Sequence, residues 1–261
     1  MTYRGDPEWW AISVALIKEK IDLENAKVLD IGFGTGGFSL AMAQECSVLV
    51  NLDITFRRAG PMLARIKDYL HHTKFASAVS LPYRENSFDL IILNGVLEYT
   101  ARGQEGPPWD THLKILKYIR KLLKPDGLFY FGIENRYYVK FLLGWRDHFE
   151  MRFSNILPRK LSTFISKHIL GDEVRHWIYS YNELLELLGE AGFNAPMFYT
   201  ALPNYKSPEY IIPLENLDEV QRVVMDTHTK KLYKYFCYLL AKSSYLYKKI
   251  GLDFIILSGV R

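Results

Sequence analysis

The stretch AKVLDIGFGTGGFSL, Ala26 to Leu40, begins as a short apolar run, Val28 to Ile31, and breaks at once into Gly32, Gly34, Gly36 and Gly37. An apolar segment of strand length that dissolves into glycines before a helical pattern marks a nucleotide-type pocket. Glycines let the chain turn tightly and bring backbone N–H groups close to a ligand that any Cβ would block. The helix beginning near Gly37 points its positive end at the same spot. Two spacings coexist here. Gly32, Gly34 and Gly37 fit the dinucleotide pattern GxGxxG, whereas Gly32, Gly34 and Gly36 fit the tighter GxGxG. The loop alone does not choose its ligand.

Outward from this loop the chain alternates strands and helices. Upstream, Asp6 is a candidate N-cap and Pro7 a first helical residue. That helix runs to about Glu19 and buries Trp10, Val14, Ile17 and Ile21 on one face. Downstream, Phe38 to Gln44 reads as helix, Val48 to Ile54 as strand, Met62 to Leu70 as helix and Phe75 to Val79 as a third strand. FDLIILN, Phe88 to Asn94, is a continuous apolar run of the kind expected in a strand covered on both faces. A helix over His112 to Leu123 and a turn at Lys124 to Gly127 lead into a fifth strand, Leu128 to Ile133. Repeated strand–helix–strand units imply right-handed crossovers and a parallel sheet. After Glu134 the rhythm breaks. It resumes with a helix over Tyr179 to Gly189, capped by Ser180 and Glu183 as a capping box. Strands at Pro196 to Leu202 and Phe254 to Val260 follow, giving one domain over 1–261 with insertions at about 135–178 and 203–252.

Composition bounds the possibilities. The 261 residues are 49% hydrophobic and 24% charged, enough to bury a sizeable core. A formal net charge of +4, from 33 basic and 29 acidic residues, is too mild to point to nucleic acid. Cys46 and Cys237 are far apart and suggest neither a disulfide framework nor a zinc site. The N-terminus lacks a signal-peptide pattern and no run reaches the length of a spanning helix, so a cytoplasmic protein is expected.

Four signals taken together resemble the class I S-adenosylmethionine (SAM)-dependent methyltransferases. VLDIGFGTGG is similar to their first motif, and Asp53 ends the second strand. LPYRENSFDLIILNGVLEY and LLKPDGLFYF resemble the segments around their fourth and fifth strands. This resemblance implies an α/β, Rossmann-like three-layer sandwich. Its sheet has seven strands, mostly parallel, with an antiparallel last strand and two lid-like insertions. It also implies SAM as cofactor, with S-adenosylhomocysteine as product. No metal is expected, because a hard cation would want converging carboxylates and the fourth strand ends in Asn94. The cofactor residues would be Asp30, Gly32, Phe33, Gly34, Gly36, Asp53, Ile54, Ser77, Ala78, Asn94 and Gly95. Asp53, an ionised acceptor with two oxygens, suits the ribose diol, and Asp30 is expected near the methionine ammonium. Family likeness puts Ser77-Ala78 at the adenine edge, although the family usually carries an acid where Ser77 stands.

The acceptor is expected at the insertions. GIENRYYVKFLLGWRDH resembles a signature of bacterial methyltransferases of surface-glycan and small-molecule pathways, and NYKSPEYIIPL echoes the same group. Glu98, Tyr99, Glu134, Asn135 and Arg136 are candidate acceptor contacts. A hydroxyl acceptor must lose its proton as the new bond forms. His148, with Asp147 as partner, is the first choice for that base, and His176, with Asp172, the second. The expected activity is O-methylation of a sugar, glycan or other small polar metabolite. The alternatives are an RNA methyltransferase and a non-catalytic SAM-binding module in a complex. Lysines interleaved with aromatics over 230–249 can be read as contact with an anionic membrane surface, as a phosphate-reading surface, or as a packed lid helix with solvated lysines. The oligomeric state is not legible.

Overall fold

The computed structural model describes residues 7–54, 71–75, 77–78, 83–146, 151–170, 176–227 and 231–259. Its centre is one sheet of eight strands. They are β1 (Lys27–Ile31), β2 (Val48–Asp53), β3 (His71–Phe75), β4 (Phe88–Asn94), β5 (Leu123–Ile133), β6 (Asn194–Leu202), β7 (Tyr210–Pro213) and β8 (Phe254–Gly259). The order across the sheet is β3-β2-β1-β4-β5-β8-β6-β7. β1 to β5 pair in parallel, while β8 runs antiparallel to both β5 and β6, and β7 antiparallel to β6. This is the expected α/β, Rossmann-like architecture, with one strand more. β7 comes from the second insertion, whose segment Tyr210–Pro213 pairs along the edge of β6.

The central strands are apolar on both faces because each face meets a separate layer. On β1 and β4, Val28, Leu90 and Ile92 face a cluster that holds Trp10, Ile17, Phe38 and Tyr130. The alternate residues Leu29, Ile31, Ile91 and Leu93 face a second cluster, with Ile115, Ile119 and Leu184. A side-chain period of two carried through unbroken apolar runs therefore yields three layers.

Three expected elements move. The third strand ends at Phe75 rather than starting there. Pairing with β2 sets its register, with Asp53 opposite Phe75, and local apolarity does not. The turn at Lys124 to Gly127 lies inside β5 as a bulge: Phe88 pairs with Leu123, but Leu90 already pairs with Leu128. The helix at the N-terminus starts as a 3-10 turn, Pro7–Trp10, before Ala11–Lys18. The helix expected over 62–70 lies outside the described residues.

The insertions pack on each other. The segment around helix Val139–Leu142 meets helix Lys231–Leu240 where the hydroxyls of Tyr138 and Tyr233 lie 2.5 Å apart. Gly251 accepts from the backbone N–H of Val139 at 3.3 Å. Among the described residues no helix is long and apolar enough to cross a membrane.

Candidate functional site

Strand order reverses between β1 and β4, so the crevice at their C-terminal ends is where an open α/β sheet receives a ligand. A cleft does open there. It is lined by Asp30, the loop Gly32-Phe33-Gly34-Thr35, Gly37 and Phe38, by Asn94 and Gly95, and by Trp10 and Lys206.

The loop is built from glycine conformations. Gly32, Gly34 and Gly36 have φ of +76°, +56° and +80°, and Gly95, opposite, has +69°. At Gly32 a Cβ would stand 2.2 Å from a Val96 methyl, so the backbone lies directly against the β4 loop. At Gly34, among the described residues beyond its chain neighbours, only the Gly32 carbonyl comes within 4 Å of a Cβ. That space is open for a ligand, and the tighter GxGxG spacing is the one that turns. Asp53, at the end of β2, accepts from the Gly34 N–H at 3.0 Å and braces the loop from behind. Asp30 is buried beneath it and accepts from the Ser39 hydroxyl at 2.5 Å. Burial pushes its carboxyl up to about 7, against the lowering effect of Ser39. Trp10 stacks on Phe38 with ring centroids 4.6 Å apart and closes one side. Gly36, Asp53, Ile54, Ser77 and Ala78, though expected at the cofactor, do not line the cleft. Ile54 is 74% exposed, an apolar side chain held in the open next to Asp53.

Beyond Gly95 the edge changes character. Tyr205 crosses it, and its hydroxyl donates to Glu98 Oε1 at 3.3 Å. Gly95 and Gly132 are glycine because Tyr205 and Asn94 occupy their Cβ space: a Cβ at Gly132 would lie 1.8 Å from Asn94 Oδ1. Glu134 is buried and pairs with Lys140 at 3.1 Å and with Lys206 at 3.4 Å. Asp253 precedes β8 in the same group. Burial pushes its carboxyl up to about 7, with Lys140 opposing. Lys206 joins the two halves, because it also lines the cleft.

The other expected acceptor residues sit differently. Asn135 is fully buried, donating to the Lys249 carbonyl at 3.4 Å and accepting from the Tyr137 N–H at 3.1 Å. Arg136 spends its guanidinium on the carbonyls of Asn155 and Leu157 and on Glu183. Both therefore fasten the first insertion to the sheet instead of facing the cleft. Tyr99 is half-exposed and packs against His176, with ring centroids 4.9 Å apart. His176 lines a second, smaller pocket with Arg136, Arg159 and Trp177, separate from the cleft. His148, Asp147 and Asp172 lie outside the described residues. Sequence reasoning marked NYKSPEYIIPL as a segment but did not single out Tyr205 or Lys206, and it missed Ser39 and Asp253. An acid just before the last strand, at Asp253, was the available signal.

Residues 29–131 match the model of a family described as a methyltransferase domain. The match covers less than half of the chain, so it is a likeness to that domain, and it supports SAM as the cofactor. The fold is shared with a SAM-dependent methyltransferase from Methanosarcina mazei at 16% identity and a TM-score of 0.54, over 94% of this chain and 96% of that one. A SAM-dependent methyltransferase from Thermotoga maritima is similar at 16% identity and TM-score 0.54, over 99% of this chain and 91% of that one. The methyltransferase CalH in complex with S-adenosylhomocysteine is similar at 15% identity and TM-score 0.51, over 91% of this chain and 52% of its own. No curated protein matches the chain. The cleft fits the cofactor on its own terms: open space over Gly34, and one buried carboxyl, Asp30, in its lining.

Proposed function

We propose that the protein moves a methyl group from SAM to a hydroxyl of a sugar, glycan or other small polar metabolite. Lys206 carries the reading. It lines the cofactor cleft while pairing with the buried Glu134, so polar side chains border the cleft on its acceptor side. Buried hydrogen-bonding groups favour an acceptor that can satisfy them and disfavour an apolar one.

Gly32, Gly34, Asn94 and Gly95 would hold the cofactor, with Asp53 fixing the loop through the Gly34 N–H and Asp30 under the loop that carries its amino-acid end. Bound there, the cofactor supplies an electrophilic methyl group on a sulfonium. What the chain adds is positioning, which for a bimolecular displacement is a large part of the rate. Glu98 and Glu134, held by Tyr205 and the two lysines, would hydrogen-bond acceptor hydroxyls. Tyr99 flanks them. His148 remains our candidate for taking the hydroxyl proton, because the pocket of His176 is separate from the cleft.

Turnover with methyl-labelled SAM on a panel of glycosides and nucleotide sugars, read by mass spectrometry, tests this. The expected result is a product methylated on oxygen, with kcat lowered at least about a hundredfold in His148→Ala and SAM affinity unchanged. Label on a nitrogen or in RNA would overturn the acceptor class, and full activity in His148→Ala would remove it as base.

A further inference from the structure

Helix Lys231–Leu240 turns one face inward, burying Tyr233 and Cys237. Its opposite face leaves large apolar side chains in solvent: Leu232 is 64% exposed, Tyr235 56% and Leu239 41%. The next helix, Ser244–Ile250, adds Tyr245 at 71% and Leu246 at 43%. Single exposed apolar residues are ordinary, but a ridge carried over two consecutive helices is not.

Charge selects the occupant. From Lys231 to Leu252 the chain has five lysines and no acid. Lys231, Lys242 and Lys249 are exposed beside the apolar side chains. Leucines have no π-face for a base to stack on and no group for a phosphate to bond, so a nucleic acid would leave half of this ridge unused. A bilayer interface uses all of it: leucine and tyrosine enter the headgroup–acyl boundary while lysines reach anionic headgroups.

We propose that these two helices dock the protein on an anionic lipid surface. The full chain should float with vesicles of phosphatidylcholine mixed with phosphatidylglycerol and not with phosphatidylcholine alone, and binding should fall as salt rises. Lys231→Gln with Lys242→Gln should weaken it about thirtyfold, from two cationic contacts at about 1 kcal/mol each. Leu232→Ser with Tyr245→Ser should also weaken it while leaving the unfolding transition in place, because neither side chain is part of the core. No binding to the anionic vesicles at low salt, equal binding by wild type and variants, or a polyuridine oligonucleotide that captures the protein in preference to vesicles would each overturn the proposal.

Discussion

The two halves of the sheet's C-terminal edge are made of different material. Around β1, β2 and β4 the cradle is backbone: left-handed glycines at 32, 34 and 36, with the Gly34 amide braced by one carboxylate. Around β5, β8 and β6 it is side chain, a buried group of Glu134, Asp253, Lys140 and Lys206. A backbone cradle is intolerant of added atoms and indifferent to charge. A side-chain cluster tolerates little change in charge, since each buried ion depends on its partners. The constant ligand thus meets the rigid backbone half. The half expected to differ between enzymes of this fold is assembled from replaceable side chains.

The contrast can be broken by substitution. The largest effect should be Glu134→Ala, which strips the shared partner from two mostly buried lysines and should cost about 3–5 kcal/mol in urea unfolding. A cost under about 1 kcal/mol would mean that the cluster is solvated and the contrast false. Next comes pH. Asp253 moves from 3.8 to about 7 through burial, so between those values the folded chain holds a proton that the unfolded chain has released. The stability tied to that proton is complete below the unfolded value and is lost as pH rises through about 7, on the order of 2–4 kcal/mol. Asp253→Asn should flatten that part of the pH–stability curve measured without cofactor, and an unchanged slope would place the titration elsewhere.

The glycine half yields a matched pair. Gly32→Ala meets both a positive φ and the Val96 methyl, and should lose about 2–4 kcal/mol of stability. Gly34→Ala meets only the backbone conformation and should lose about 1 kcal/mol, yet weaken SAM binding in calorimetry, because its Cβ enters the open space of the cleft. Equal stability losses in the two would show that steric contact with the β4 loop does not distinguish them.

The unequal legibility of the two halves follows from the same difference. Asp30, Gly32, Gly34 and Asp53 belong to strand ends and a turn whose geometry is local, and their spacing announces it. Glu98 meets Tyr205 across 107 positions of sequence and Glu134 meets Lys206 across 72, contacts that no spacing encodes. Asn135 and Arg136 follow β5 just as site residues would, and only the burial of one and the full hydrogen bonding of the other show them to be fasteners. Ser180 and Glu183 show the reverse case. Their capping box was readable because both partners lie within one helical turn, with Glu183 accepting from the Ser180 N–H at 2.7 Å.

By itself, then, the sequence determined the succession of strands and the glycine turn, products of short-range sterics and period-two apolarity, while the class of cofactor came from four motifs taken together and not from the turn. Tertiary structure alone decided that Lys206 borders the cofactor cleft, that an eighth strand closes the sheet, and that the two insertions join through Tyr138 and Tyr233. Those outcomes depend on which distant segments share the same few ångströms at the edge of the sheet, and packing of the whole chain settles that.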